Sequence, residues 1–162
     1  MTEQVPAFPV SSVSPASGGM ILGLGNDLVD IRRIERSIER FGQRFLDRVF
    51  TAGEQAKAGL RSARPRSFAS TLAKRFAAKE AMAKALGTGF SQGMVMREIE
   101  VVSAASGQPQ ILVHGMAGQI LNRQIPPGFS ASILLTMTDE YPYAQAIVLI
   151  QIFPSSVRIV EK

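Results

Sequence analysis

Asp27, Glu80 and Lys84 are the residues of this sequence whose types and placing point to chemistry. Phe68, Leu72 and Phe76 recur every four residues, so they lie along one side of a helix. The next two positions on that line are Glu80 and Lys84, so an apolar stripe runs into a carboxylate and an ammonium. Buried charge is costly unless it is paired or bound to something. Two readings are open here. Either the helix emerges into water, where a Glu–Lys pair four residues apart is a routine helix stabiliser, or the two charges serve a site. Asp27 follows the apolar run MILGLG (20–25), where strand ends commonly present functional groups. A solvated loop aspartate is the other reading there.

Composition narrows what such a site holds. The 162 residues contain no cysteine and one histidine, His114, so thiolate metal sites are excluded and a histidine zinc cluster nearly so. A metal here would be held by oxygen ligands. Hydrophobic residues at 46% and charged residues at 19% suit a globular core. The net charge of +5 and a pI near 10.1 point to an acidic partner. No apolar run approaches the roughly 20 residues of a membrane span, and the first residues lack the basic and apolar regions of a secretory signal. A cytoplasmic protein is expected.

The elements that must position these residues follow from pattern. Residues 1–19 are rich in Pro, Ser and Gly and read as a disordered tail. MILGLG reads as a strand ending at Asn26. Ile31, Ile34, Ile38, Phe41 and Phe45 have helical spacing, with Gly42 placed to bend or split the helix. Thr51 with Glu54 three residues on is a capping-box pattern. RSARPRS (61–67) reads as a basic loop, and the helix carrying Glu80 stops at Gly87, a natural position just past a helix end. The period then changes to two. REIEVV (97–102) and QILVHG (110–115) read as a hairpin around SGQP, MAGQILNRQ (116–124) as a short helix, and FSASILLTMT and YAQAIVLIQIF as two strands around DEYP. Helices come early and paired strands late. The expected fold is α+β, an antiparallel sheet packed against helices in a single domain over 20–153, with fraying over 154–162.

Two segments resemble the motifs of holo-acyl-carrier-protein synthases, the small bacterial 4′-phosphopantetheinyl transferases: GLGNDLVDIRRIE (23–35) and KRFAAKEAMAKALGTG (74–89). RFLDRVFTAGE (44–54), SGQPQI (106–111) and TMTDEYPYAQAIVLI (136–150) extend the likeness, which covers about residues 20–151. The resemblance implies transfer of phosphopantetheine from coenzyme A to a serine of acyl carrier protein, with Mg²⁺, in support of fatty acid biosynthesis. It makes Asp27 and Glu80 the metal carboxylates. It sets Lys84 on the coenzyme phosphates and the leaving group. Glu80 is the first choice of base, directly or through a metal-bound water, and neutral Lys84 the second. Arg66, Arg75 and Lys79 are expected on the coenzyme's other phosphates, Arg being suited to a two-bond phosphate grip. A merely solvated basic loop is the alternative for Arg66. Many members carry histidine where this chain has Met137, and a thioether cannot transfer a proton. His114, on the hairpin, is expected to be a surface or packing residue instead.

Arg32, Arg36, Arg40, Arg44 and Arg48 repeat every four residues over roughly 24 Å of helix at 1.5 Å per residue. A solvated face interleaved with Glu35, Glu39 and Asp47 is one reading; a docking surface for an acidic helix is the other. The resemblance supplies such a partner in the acyl carrier protein, with Arg33 matching a carrier-contacting arginine. Arg33, Arg36, Arg40, Arg44, Phe45 and Arg48 are therefore the expected partner surface. It also implies a homotrimer with active sites at subunit boundaries, and SASILLTM would suit a strand at its axis or an ordinary core strand. A basic nucleic-acid-binding domain is the competing class. Aromatics at 7%, the absence of Trp and the lack of an aromatic–basic platform speak against it. An inactive carrier-binding scaffold is a third reading, on Met137 alone.

Overall fold

A computed structural model describes residues 18–155. The chain runs β1 (Met20–Asp30), α1 (Ile31–Phe41), α2 (Gln43–Val49), α3 (Ala52–Gly59), α4 (Pro65–Ala85), β2 (Ile99–Ser103), β3 (Pro109–Val113), α5 (Gly115–Gln124), β4 (Phe129–Glu140) and β5 (Tyr143–Pro154), with a 3₁₀ turn at Met96–Glu98. Two antiparallel sheets form, one of three strands in the order β1-β5-β4 and one hairpin of β2 and β3. This is the expected α+β arrangement. The tail assigned to 1–19 and the fraying assigned to 154–162 fall almost wholly outside the described residues; Pro154 itself is still paired with Phe129.

The centre of the fold is α4 laid across the three-stranded sheet. Ala144, Ala146, Val148, Ile150 and Ile152 alternate along β5 and are all buried toward it, as a half-buried strand requires. The helix is buried nearly all round, mostly through small residues: Ala69, Ala73, Ala77, Ala78, Ala81, Ala83 and Ala85. The Phe68–Leu72–Phe76 line is therefore only one side of a broader buried surface, and both its phenylalanines are half-buried. Small side chains permit close approach, and β1 uses the same device. A Cβ on Gly25 would overlap the carbonyl oxygen of Ala81, and one on Gly23 that of Ala85. Gly-Leu-Gly thus exists so that strand and helix backbones can touch.

Three boundaries differ from the sequence reading. The first strand continues past Asn26 to Asp30, because pairing with β5 runs unbroken from Gly23 to the Asp30–Tyr143 pair. Its polar residues had masked it. The loop after α3 ends at Arg64, since Pro65 opens α4; proline suits a first helical position, where its missing N–H costs nothing. The strand drawn from Arg97 begins at Ile99, after the 3₁₀ turn. Gly42, at φ 53°, does split the first helix in two. The Thr51–Glu54 capping box forms.

Candidate active site

β1 alternates, so Gly23, Gly25 and Asp27 share the face that meets α4. The glycines bring the strand down onto the helix at Ala81 and Ala85, and Asp27 arrives where Glu80 and Lys84 stand. The Lys84 ammonium lies 2.7 Å from Asp27 Oδ1 and also donates to the Asn26 carbonyl at 3.0 Å. Asp27 is well covered, its side chain 15% exposed, while that of Lys84 is 52% exposed. Glu80 is half-buried, and its carboxyl is pushed above the ordinary glutamate range. Burial is the main cause and the Asp27 charge the second; Lys84 and Arg33 oppose them. Two carboxylates are thus brought close enough to raise the affinity of one for a proton. Such a pair is suited to a hard divalent cation, which takes carboxylate oxygen readily. No cluster of three or more His, Cys, Asp or Glu occurs among the described residues, so any such ion would draw further ligands from substrate and water.

Glu80 also lines a groove of about 440 Å³ with Arg48, Val49, Phe90, Met94, Val95 and Met96. The walls are apolar, apart from Arg48 and Glu80. A second, polar pocket of about 200 Å³ lies farther along α4, among Arg61, Arg66, Ser67, Thr71 and Lys74. There Lys74 pairs with Asp139, and the Arg66 guanidinium sits 4.8 Å from the Tyr141 ring centroid.

The other basic residues divide. Arg66 is exposed at its pocket. Arg75 is 5% exposed and donates to the Thr71 carbonyl at 3.0 Å, leaving its buried Nε without a partner. Burial pulls its pKa down, against the Glu54 charge. Lys79 does not stand where a coenzyme phosphate would meet it. Its side chain is 0% exposed and its ammonium is 2.8 Å from Glu54 Oε2, so the phosphate role expected for it is replaced by a buried ion pair. Glu54 serves twice, its carboxylate closing the α3 capping box and pairing with Lys79.

The arginine surface is real but is not one stripe. Arg32 is tied back to Asp30, its Nη2 2.7 Å from Oδ2, and leaves the row. The break at Gly42 divides the rest. Arg33, Arg36 and Arg40 border one depression with Ser37 and Phe41; Arg44, Phe45 and Arg48 border another, which Phe41 shares. Phe41 is 52% exposed, with the Arg40 guanidinium 5.0 Å from its ring centroid. Helical spacing had placed it on the apolar face. It is the last residue of α1, next to Gly42, and none of the described residues buries it there. Met137 is half-buried on the side of β4 that faces α4, opposite Ala146. His114 is exposed, 3.4 Å from Glu100, well apart in sequence and element from Asp27 and Glu80.

A sequence profile of the 4′-phosphopantetheinyl transferase superfamily matches residues 23–144. Among curated proteins, the holo-[acyl-carrier-protein] synthase of Methylorubrum populi is 57% identical over 135 residues, 83% of this chain and 96% of its own. That of Granulibacter bethesdensis is 56% identical, covering 83% and 92%. Among solved structures, the Neisseria meningitidis holo-[acyl-carrier-protein] synthase is similar at 36% identity and a TM-score of 0.67, covering 81% of this chain and 98% of that one. The Helicobacter pylori synthase, solved in complex with coenzyme A, is similar at 26% identity and a TM-score of 0.63, covering 78% and 98%.

Proposed function

The chain belongs to the 4′-phosphopantetheinyl transferase superfamily, and from that premise we propose that it moves the 4′-phosphopantetheine group of coenzyme A onto a serine of an apo acyl carrier protein. The products are holo carrier protein and 3′,5′-ADP, and the setting is fatty acid biosynthesis in the cytoplasm. The observation that carries this reading is the meeting of Asp27, Glu80 and Lys84 where two glycines let β1 touch α4.

Mg²⁺ is the proposed cofactor, with Asp27 and Glu80 as its protein ligands. When bound it would offset charge on the diphosphate oxygens. The chain's own residues do the rest. Lys84, on a long exposed side chain, takes a diphosphate oxygen and supports the leaving group. Arg66 serves the 3′-phosphate from its polar pocket. Arg75, 5% exposed with its Nε buried, is closed to the phosphate contact expected for it. The neutral pantetheine arm suits the largely apolar groove that Glu80 lines. The serine oxygen bonds to the phosphorus bearing that arm as the phosphorus–oxygen bond to 3′,5′-ADP breaks. The serine proton passes to Glu80.

Arg33, Arg36, Arg40, Arg44, Phe45 and Arg48 form the carrier surface, cationic with apolar pockets, to suit an acidic helix. The Arg33 charge acts weakly on Glu80, opposing the rise in its pKa. A homotrimer with sites at subunit boundaries is supported by the outer face of the three-stranded sheet, where Leu24, Leu28, Leu134 and Ile147 are 65%, 61%, 43% and 39% exposed. None of the described helices is long and apolar enough to cross a membrane.

Mass spectrometry tests the reading. Mixed with apo carrier protein, coenzyme A and Mg²⁺, the protein should add one phosphopantetheine to the carrier, and chelation should stop it. Asp27→Ala and Glu80→Ala should each cut turnover by orders of magnitude without loss of fold. Unchanged carrier mass with several bacterial carriers would end the proposal.

A further inference from the structure

Lys79 precedes Glu80 in α4, and the motif that carries the catalytic carboxylate therefore carries a lysine beside it. Adjacent helical residues point about 100° apart, so the two side chains leave the helix in different directions. Glu80 opens on the groove. Lys79 turns into the interior, where its ammonium meets three acceptors: Glu54 Oε2 at 2.8 Å, the Met96 carbonyl at 3.1 Å and the Ile99 carbonyl. An ammonium has three donors, and all three are used. Glu54 is held in turn by the backbone N–H groups of Thr51, at 2.9 Å, and Val101, at 3.0 Å. One buried pair thus ties α4, α3 and the start of β2 together.

What the pair holds is the wall of the groove. Met96 and Ile99 are the two ends of the 3₁₀ turn region, and Met94, Val95 and Met96 line the same groove as Glu80. The segment from Gly87 to Val95 has no strand ladder to fix it. The Met96 carbonyl is anchored instead to the residue next to Glu80 in the chain. Burying a charge pair is an expensive way to fill space, and apolar side chains of similar volume commonly pack as well. What an ammonium adds is direction: it sets the distance from two named carbonyls to the helix that bears the carboxylate.

We propose that Lys79, held by Glu54, is a positioning residue that fixes the Met94–Met96 wall against Glu80 and so aligns the pantetheine arm of coenzyme A with the reacting phosphorus. This rests on the function proposed above. It gives the buried lysine a task in the reaction without contact to substrate.

The test compares two ligands that differ by the arm. Coenzyme A carries it; adenosine 3′-phosphate 5′-diphosphate keeps the phosphates and lacks it. Calorimetry on the wild type and on the double variant Lys79→Met/Glu54→Gln, which removes both charges together, gives the affinities. Coenzyme A should bind the variant about tenfold or more weakly, while the armless nucleotide changes by less than about twofold. The same contrast should appear in Lys79→Gln, whose amide still donates to a carbonyl. Equal losses for both ligands, or none, would overturn the proposal. So would failure of both variants to fold, because the pair would then be a staple of the core alone. A wild type that binds neither ligand would instead remove the transferase reading on which the proposal stands.

Discussion

The ammonium of Lys84 rests 2.7 Å from Asp27 Oδ1, on the carboxylate proposed to hold the metal. A cation and a divalent ion compete for that oxygen, or repel one another across the carboxylate. Lys84→Met should therefore tighten Mn²⁺ binding by the coenzyme-free protein, by up to about tenfold, or 1.4 kcal/mol. It should weaken coenzyme A binding at the same time. Titration of Mn²⁺ with and without coenzyme A reads both effects. Weaker Mn²⁺ binding in the variant would mean that Lys84 instead holds Asp27 in place for the metal.

Glu80 gives a stability prediction with a definite sign. Its folded pKa lies above the ordinary value of 4.5, through burial and then the Asp27 charge. The native state therefore holds this proton more tightly than the unfolded chain does. Stability is highest below the unfolded pKa and falls as pH rises toward the folded value, because the ionised form is the disfavoured one. Without metal, Glu80→Gln should raise Tm at about neutral pH and leave it unchanged at about pH 4, where the carboxyl is largely protonated. A Tm lowered by Glu80→Gln across the whole range would assign Glu80 a stabilising partner instead. The gain in stability should accompany loss of turnover, the usual exchange at a site that holds charge for function.

Arg33→Ala and Arg40→Ala should raise KM for the carrier protein far more than KM for coenzyme A. Added salt should act in the same direction, since exposed charges are screened over about 8–10 Å near physiological ionic strength. Phe41→Ala should also raise the carrier KM, and that loss should be insensitive to salt, because the exposed ring contributes apolar contact. Equal effects of the arginine variants on both substrates would place those residues at the coenzyme.

Met137, the position where the family resemblance leads one to expect histidine, lies half-buried on the α4 side of β4, opposite Ala146. In the proposed reaction Glu80 accepts the serine proton and Arg66 meets a phosphate, which leaves no step for an imidazole here. Met137→His should accordingly change kcat by less than about tenfold. A rise of about a hundredfold would reassign proton transfer to that position.

The meeting of Asp27, Glu80 and Lys84 was legible in the sequence, because short motifs carry them. GLGND and AAKEAMAKALGTG name the carboxylates and the lysine, and Gly42, Thr51 and Gly87 punctuate the helices through backbone geometry that neighbours do not alter. The directions of side chains were not legible. The strand through Asp27 looked like a loop because its pairing partner, β5, lies more than a hundred residues away. Lys79 looked like a phosphate ligand because its type is basic, and only the approach of Glu54 from α3 made it a buried strut. Phe41 has the spacing of a core residue, yet at the end of α1 no other described segment covers it. Arg32 counted as one of a row until Asp30 drew it aside. The sequence by itself determined which groups this protein has for phosphoryl transfer and which local bends its chain makes. The tertiary structure decided which charges face each other and which face water, since burial and pairing depend on segments that meet only once the chain has folded.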